Sequence, residues 1–209
     1  MSLPSSLDTW IEADEEAMST ILNCLCPLCE QYTGTTLVLP SRVPYFREII
    51  IMHLTCNSPT CGFRNSEVSF GGEIQLKGVK STLTASSSKD LNRQIIKSDY
   101  CTITLPHLSL EIPPITQKGT VTTLEGVLKK TADQLQEGQA DRLTDSIDVF
   151  TGVQKVIEGL NHILADGDGS YPFTLVIDDP SGNSFVENPA APNADPLIVT
   201  KSYERTANQ

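Results

Sequence analysis

The 209 residues carry 26 Asp and Glu against 15 Lys and Arg, a formal net charge of −11, with 39% hydrophobic and 6% aromatic residues. This length builds one sizeable domain or two small ones, and the acidic balance repels phosphate backbones, which weighs against a dedicated nucleic-acid binder and favours a basic protein partner. No run approaches the ~20 apolar residues of a membrane-spanning helix, no basic and apolar secretory leader opens the chain, and six cysteines in the expected cytoplasmic and nuclear setting point to metal before disulfides.

Residues 1–20 read as an acidic leader containing Asp8, Glu12, Asp14, Glu15 and Glu16, partly helical, in which Trp10 and Ile11 either fray or dock. Residues 21–66 form a cysteine-bounded unit with two strands, Thr35–Leu39 and Ile49–Leu54, both rich in β-branched and aliphatic residues. Residues 67–206 read as a β domain. Its first part has strands near Ser66–Phe70, Val79–Ala85 and Thr102–Ile112, separated by Gly71-Gly72, Gly78 and Ser86–Ser88, with a helical turn over Asp90–Ile96. The period then changes. Leu124, Val127, Leu128, Ala132 and Leu135 share a helical face, and Thr122 with Glu125 has capping-box spacing. Gly138 breaks this run, and a second helix carries Leu143, Ile147, Phe150, Val153, Ile157, Leu160 and Leu164. The pair forms a helical hairpin inserted at 120–166, which either packs on the β domain or offers a docking groove. Strand pattern returns at Phe173–Ile177 and Leu197–Tyr203. The fold class is therefore mainly β with an α insertion.

Cys26-Pro27-Leu28-Cys29 and the pair Cys56 and Cys61 bracket the two-stranded hairpin expected in the first unit. Two close cysteine pairs supply the tetrahedral set of soft thiolates that Zn²⁺ favours, and a hairpin between them makes a zinc ribbon. Cys24 competes with Cys26 for the first position, although the Cys-Pro-x-Cys turn favours Cys26; Cys101 falls in a strand and reads as a buried thiol. A four-thiolate site leaves no position for water, so its zinc is structural rather than catalytic. His53, His107 and His162 are scattered and lie in no nucleophile or phosphate-loop motif. Asp166, Asp168 and Ser170 resemble the start of a calcium loop, but Ile177 stands where the bidentate Glu belongs. The expected class is a protein-binding module, not an enzyme.

Several motifs in order carry a family resemblance: Cys26-x2-Cys29, Gly34-Thr35-Thr36, Val43-Pro44-Tyr45-Phe46-Arg47-Glu48-Ile49-Ile50-Ile51, the second cysteine pair with Gly62, Thr123-Leu124-Glu125-Gly126, and Asp178-Asp179-Pro180-Ser181-Gly182-Asn183-Ser184. Together they resemble the ZPR-type zinc-finger proteins. The resemblance implies a zinc finger similar to that of the beta subunit of translation initiation factor 2, followed by a double-stranded β-helix-like domain carrying a helical hairpin. It implies binding to eukaryotic elongation factor 1-alpha with assistance to its folding, links to receptor tyrosine kinases, and a location in both cytoplasm and nucleus. Eukaryotic members usually hold two such modules where this chain has one, most similar to the N-terminal one. The second cysteine pair normally has two intervening residues; here it has four.

The candidate partner contacts are Arg42, Tyr45, Phe46, Arg47 and Glu48 between the cysteine pairs, where an aromatic beside Arg has hot-spot composition, and Asp178, Asp179 and Asn183 in a polar turn. The competing reading packs Phe46 inward and makes the second group an internal lock. The alternative function, a nucleic-acid-binding zinc ribbon in a translation or transcription assembly, requires Arg42, Arg47 and Arg64 to cluster on one face.

Overall fold

The computed structural model describes residues 12–70, 74–116, 118–165 and 172–206. Trp10, Ile11, Gly71-Gly72 and the Asp166–Ser170 run lie outside the described residues. The chain divides into two compact units, one reaching Ile74 and including Lys118–Thr120, the other taking the remainder from Gln75 onward.

The first unit is an antiparallel sheet. Strands β1 (Glu12–Ala13) and β2 (Ser19–Cys24) both pair with β3 (Gly34–Arg42), which pairs with β4 (Glu48–Cys56), which pairs with β5 (Arg64–Ser69). β3 and β4 match over their whole length, from Gly34 opposite Cys56 to Arg42 opposite Glu48. Leu39, Val43, Ile49, Ile51 and Val68 are its buried aliphatic residues. Residues 1–11 of the expected partly helical leader lie outside the described residues; of its remainder, Glu12–Ala13 and Ser19–Thr20 are extended rather than helical, because β3 offers its free edge to β1 and β2. A helix over the same residues would leave that edge unpaired.

In the second unit, the larger sheet orders β13 (Ile198–Tyr203), β6 (Gly78–Ala85), β11 (Phe173–Asp179), β8 (Thr102–Leu105) and β9 (Leu110–Ile112). The smaller sheet orders β10 (Thr120–Thr123), β7 (Gln94–Lys97) and β12 (Phe185–Val186). Alternation along β11 sends Phe173, Leu175, Ile177 and Asp179 inward. One core joins Leu83, Ile103 and Leu175 of the larger sheet, Ile95 and Val186 of the smaller, and Leu124, Leu128, Leu160 and Ile163 of the helices. No helix among the described residues is long and apolar enough to cross a membrane.

Three details differ from the periodicity reading. The helical insertion is three helices, α1 (Leu124–Glu137), α2 (Gln139–Asp145) and α3 (Ile147–Ala165). Ser146 is extended (φ −159°), so Leu143 and Ile147 do not continue one stripe and both stay exposed; the buried face of α3 is Ile157, Leu160 and Ile163. The N-cap of α1 is Thr123, the last residue of β10 rather than Thr122, and its hydroxyl accepts from Gly126 N–H at 3.1 Å. A Cβ on Gly126 would lie 2.3 Å from Thr122 Oγ1, so only glycine fits that approach. Finally, Ser88–Asn92 is a short 3-10 helix, but Gln94–Lys97 is strand, drawn into the ladder by β12.

A buried ion cluster ties this second unit together. Arg93 donates from Nε to Asp90 Oδ1 at 2.7 Å, and from Nη1 to Asp195 and to the Glu187 carbonyl. Asp90 also accepts from the Ser86 and Ser87 N–H groups, each at 3.0 Å. The chain segment after β12 is thereby held to the segment before β7.

Candidate metal centre

Two turns aim four sulfurs at one point. In the first, Cys26 N–H donates to the Gln31 carbonyl, and Glu30 adopts a left-handed conformation (φ 56°) directly after Cys29. In the second, Cys56 N–H donates to the Phe63 carbonyl, and Gly62 is left-handed (φ 63°) directly after Cys61. The turns share one logic: a closing backbone bond from the first cysteine, and a left-handed residue after the second. The wider Cys56–Cys61 spacing is absorbed between the cysteines, where Cys61 N–H donates to the Ser58 carbonyl and tightens the added residues. Glycine serves the second turn at no steric cost, whereas Glu30 carries the strain of a side chain at positive φ.

The sulfurs of Cys26, Cys29, Cys56 and Cys61 all lie within 4.8 Å of one another. Cys26 Sγ is 3.7 Å from Cys61 Sγ, and Cys29 Sγ is 3.7 Å from Cys56 Sγ. A tetrahedron with Zn–S bonds of ~2.3 Å has edges of ~3.8 Å, so the donor set has the size and chemistry for one zinc ion. The electrostatics agree. The Thr33 hydroxyl, 3.2 Å from Cys56 Sγ, lowers that thiol to about 7, with help from the Ser58 backbone. The Phe63 backbone favours the Cys61 thiolate, yet desolvation and the three neighbouring sulfurs outweigh it and push Cys61 up to about 12. Four thiols this close do not ionise together without a dication between them. When bound, the ion supplies rigidity and charge balance, with all four positions taken by protein sulfur.

Cys24 is outside this group. Its sulfur accepts from the Thr36 hydroxyl at 3.1 Å and approaches the Ile21 carbonyl at 3.4 Å. Cys101 is fully buried in the second unit, and desolvation pushes its thiol up to about 11. Thr33 escaped the sequence reading, because nothing in Tyr32-Thr33-Gly34 marks a hydroxyl aimed at a sulfur more than twenty residues away. Thr33→Val is expected to weaken zinc binding roughly tenfold while leaving the four ligands in place, the usual scale for losing an outer partner of a metal ligand; competition against a calibrated chelator measures it.

Of the candidate partner contacts, Arg42, Tyr45, Phe46, Arg47 and Glu48 come together at the β3–β4 turn. Val43 N–H donates to the Arg47 carbonyl and Phe46 N–H to the Val43 carbonyl, closing it. Tyr45 is 72% exposed and left-handed (φ 60°), and the Arg47 guanidinium sits 4.5 Å from the Phe46 ring centroid. Arg42 and Glu48 face each other across the strands.

The Asp178–Ser184 turn is different. Asp179 is fully buried; its carboxylate accepts from Ser181 N–H (2.8 Å), Ser181 Oγ (2.7 Å), Asn183 N–H (3.0 Å) and Ser184 Oγ (2.7 Å). Asn183 is buried as well. The partner-contact reading of Asp179 and Asn183 is therefore corrected: an inward strand position places the carboxylate beneath its own loop, and it builds the loop. Gly182 is left-handed (φ 71°) and presses against the Lys77 carbonyl, where a Cβ would come within 2.5 Å. Asp178 is half-buried, accepting from Lys80 Nζ at 3.1 Å and from the Tyr203 hydroxyl at 2.7 Å.

Against known families, the model described as the ZPR1 zinc-finger domain matches residues 20–76, and that of the ZPR1 jelly-roll domain matches residues 89–209. The chain belongs to the ZPR1 family. The double-stranded β-helix expected from the motifs is this jelly roll, and the four-cysteine ribbon is the ZPR1 zinc finger. The chain is 41% identical over 202 residues to zinc finger protein ZPR1 of Mus musculus, covering 94% of this chain and 41% of that protein. It is 36% identical over 198 residues to the zinc finger chaperone zpr1 of Schizosaccharomyces pombe, covering 95% and 42%. A ZPR1-like protein of Pyrococcus horikoshii is 31% identical over 169 residues, with 76% of this chain and 70% of that protein covered. The chain thus spans about two fifths of the length of the eukaryotic ZPR1 relatives it matches.

Proposed function

We propose that this chain is a zinc-dependent protein-binding module that holds eukaryotic elongation factor 1-alpha and assists its folding, in the cytoplasm and nucleus. The observation that carries this reading is the closed four-sulfur centre: its metal has no open position for chemistry, so it serves to hold a surface in shape. The surface it supports includes the β3–β4 turn, where exposed Tyr45 and the Phe46–Arg47 stack offer aromatic and guanidinium groups at low ordering cost. The name chaperone borne by the fission-yeast relative supports the folding role. Receptor tyrosine kinases are a further partner class suggested by the same family resemblance.

The nucleic-acid alternative is disfavoured by where its arginines fall. Arg64 stands opposite Thr55 at the cysteine end of the sheet, whereas Arg42 and Arg47 lie at the far turn. Thr35, paired with Thr55, and Arg42 are separated along β3 by roughly 20 Å or more at the strand rise, too far apart to make one basic patch.

The test is capture of elongation factor 1-alpha at ~150 mM salt, where exposed charges are screened beyond about 8 Å. It is run with GDP, with a GTP analogue and with newly synthesised factor, beside Cys29→Ser. Capture that is specific and lost in Cys29→Ser is the expected result. Absence of capture in every state would defeat this client assignment.

A further inference from the structure

The sheet of the first unit has two edges of opposite character. At one, β5 carries Arg64 and Glu67, and its Val68 N–H donates to the Gly119 carbonyl. Charge and a covering segment are how natural sheets close an edge against strand addition. At the other, β2 is Ser-Thr-Ile-Leu-Asn-Cys, with neither charge nor proline, and among the described residues it pairs with β3 alone. Two of its side chains are aliphatic and in solvent, Ile21 at 54% exposed and Leu22 at 66%, and exposed Met18 (48%) and Leu25 (50%) flank them. An edge with no second neighbouring strand among the described residues, regular from Ser19 to Leu22 before the bulge at Asn23 and flanked by exposed aliphatic side chains, is the template for a further strand.

The charge around this edge names the occupant. From residue 12 to residue 41 there is no Lys or Arg, while Asp14, Glu15, Glu16 and Glu30 are all exposed. A second copy of the same edge would bring like charges together, whereas an extended segment alternating aliphatic and basic residues meets both the apolar side chains and the acidic flanks. We propose that β2 is a strand-addition site that captures an extended, aliphatic and basic segment of a partner protein. The inference deepens the folding-assistance reading and rests on it, since an incompletely folded client presents such segments.

The test uses a short fluorescent peptide alternating lysine and valine, titrated by anisotropy into the zinc-loaded full chain at ~150 mM salt. Three comparisons accompany it: the peptide with glutamate for lysine, the peptide with alternate backbone amides N-methylated, and the protein variant Ile21→Lys/Leu22→Lys. Both substituted residues are exposed, and zinc content with thermal melting verifies that the variant folds. Binding that falls about tenfold or more in each comparison supports strand addition. Binding unaffected by N-methylation overturns it, because charge alone would then account for the association. No binding to the folded chain also overturns it; if sedimentation then shows a dimer that Leu22→Lys dissociates, the edge belongs to a second copy. Capture of elongation factor 1-alpha, measured on the same proteins, separates the two readings. Intact capture without peptide binding removes only the strand-addition site. Peptide binding without capture removes only the client assignment.

Discussion

Chelation of zinc is expected to unfold the first unit while the β sandwich of the second keeps its core. Structural zinc in small thiolate sites contributes on the order of 10 kcal/mol or more to folding, and little else here replaces it. The buried aliphatic residues of the unit are Leu39, Val43, Ile49, Ile51 and Val68, a small core for the span from β2 to β5. Two of its other buried apolar residues, Cys26 and Cys56, are themselves ligands. Without the ion, the sulfurs drawn to 3.7 Å lose the partner that joins the two turns, and the ladder from Gly34–Cys56 to Arg42–Glu48 frays from its cysteine end. Amide exchange should therefore accelerate across β3, β4 and β5, while Leu83, Ile103 and Leu175 stay protected. Cys29→Ser should act like the chelator, and Cys24→Ser should retain one zinc per chain. Unchanged exchange in β3 and β4 after complete zinc removal would show that the sheet stands without its metal, and the structural role would fall.

What was legible in the sequence was local. The Cys26–Cys29 turn, the aliphatic runs of β3 and β4 and the apolar face of α1 each declare themselves within a few residues. The four sulfurs were readable because two close cysteine pairs bracketing a hairpin form the usual donor set for a structural metal. The features that escaped depend on distant partners. Ser19–Cys24 has no alternating burial to reveal it, since it is exposed on both faces and exists through its pairing with β3. Gln94–Lys97 continues a 3-10 turn in sequence and becomes strand through Phe185 and Val186, far along the chain. Asp179 looked like a surface acid in a polar turn; only the register of β11 against β6 reveals that it points inward. The two extra residues between Cys56 and Cys61 depart from the spacing normal for the resemblance, yet the turn extends without moving the sulfurs from tetrahedral range.

The largest single-residue effect expected in the second unit is at Arg93, a residue no motif singled out. Its side chain and those of Asp90 and Asp195 are each only 6% exposed. Removing one partner of a buried ion cluster leaves the others charged without compensation, at a cost of about 3–5 kcal/mol. Arg93→Met should therefore lower the melting temperature by roughly 10 °C or more and free the segment that Asp195 and the Glu187 carbonyl hold against β7. Burial alone would raise the Asp90 carboxyl, but the Ser86 N–H and Arg93 outweigh it and hold it below its ordinary value. A depressed carboxylate stabilises the fold fully above its unfolded pKa near 4, and that stability is lost as pH falls through the folded value. The acid limb of the wild-type stability curve should accordingly be steeper than that of Arg93→Met. The triple variant Arg93→Met/Asp90→Leu/Asp195→Leu separates ion pairing from packing: with all three charges gone, it should regain a large part of the lost stability, because no ion remains buried without a partner. If Arg93→Met melts with the wild type, or the triple variant is the least stable of all, the cluster is not held together by its charges, and the loop from β12 to β13 owes its place to packing alone.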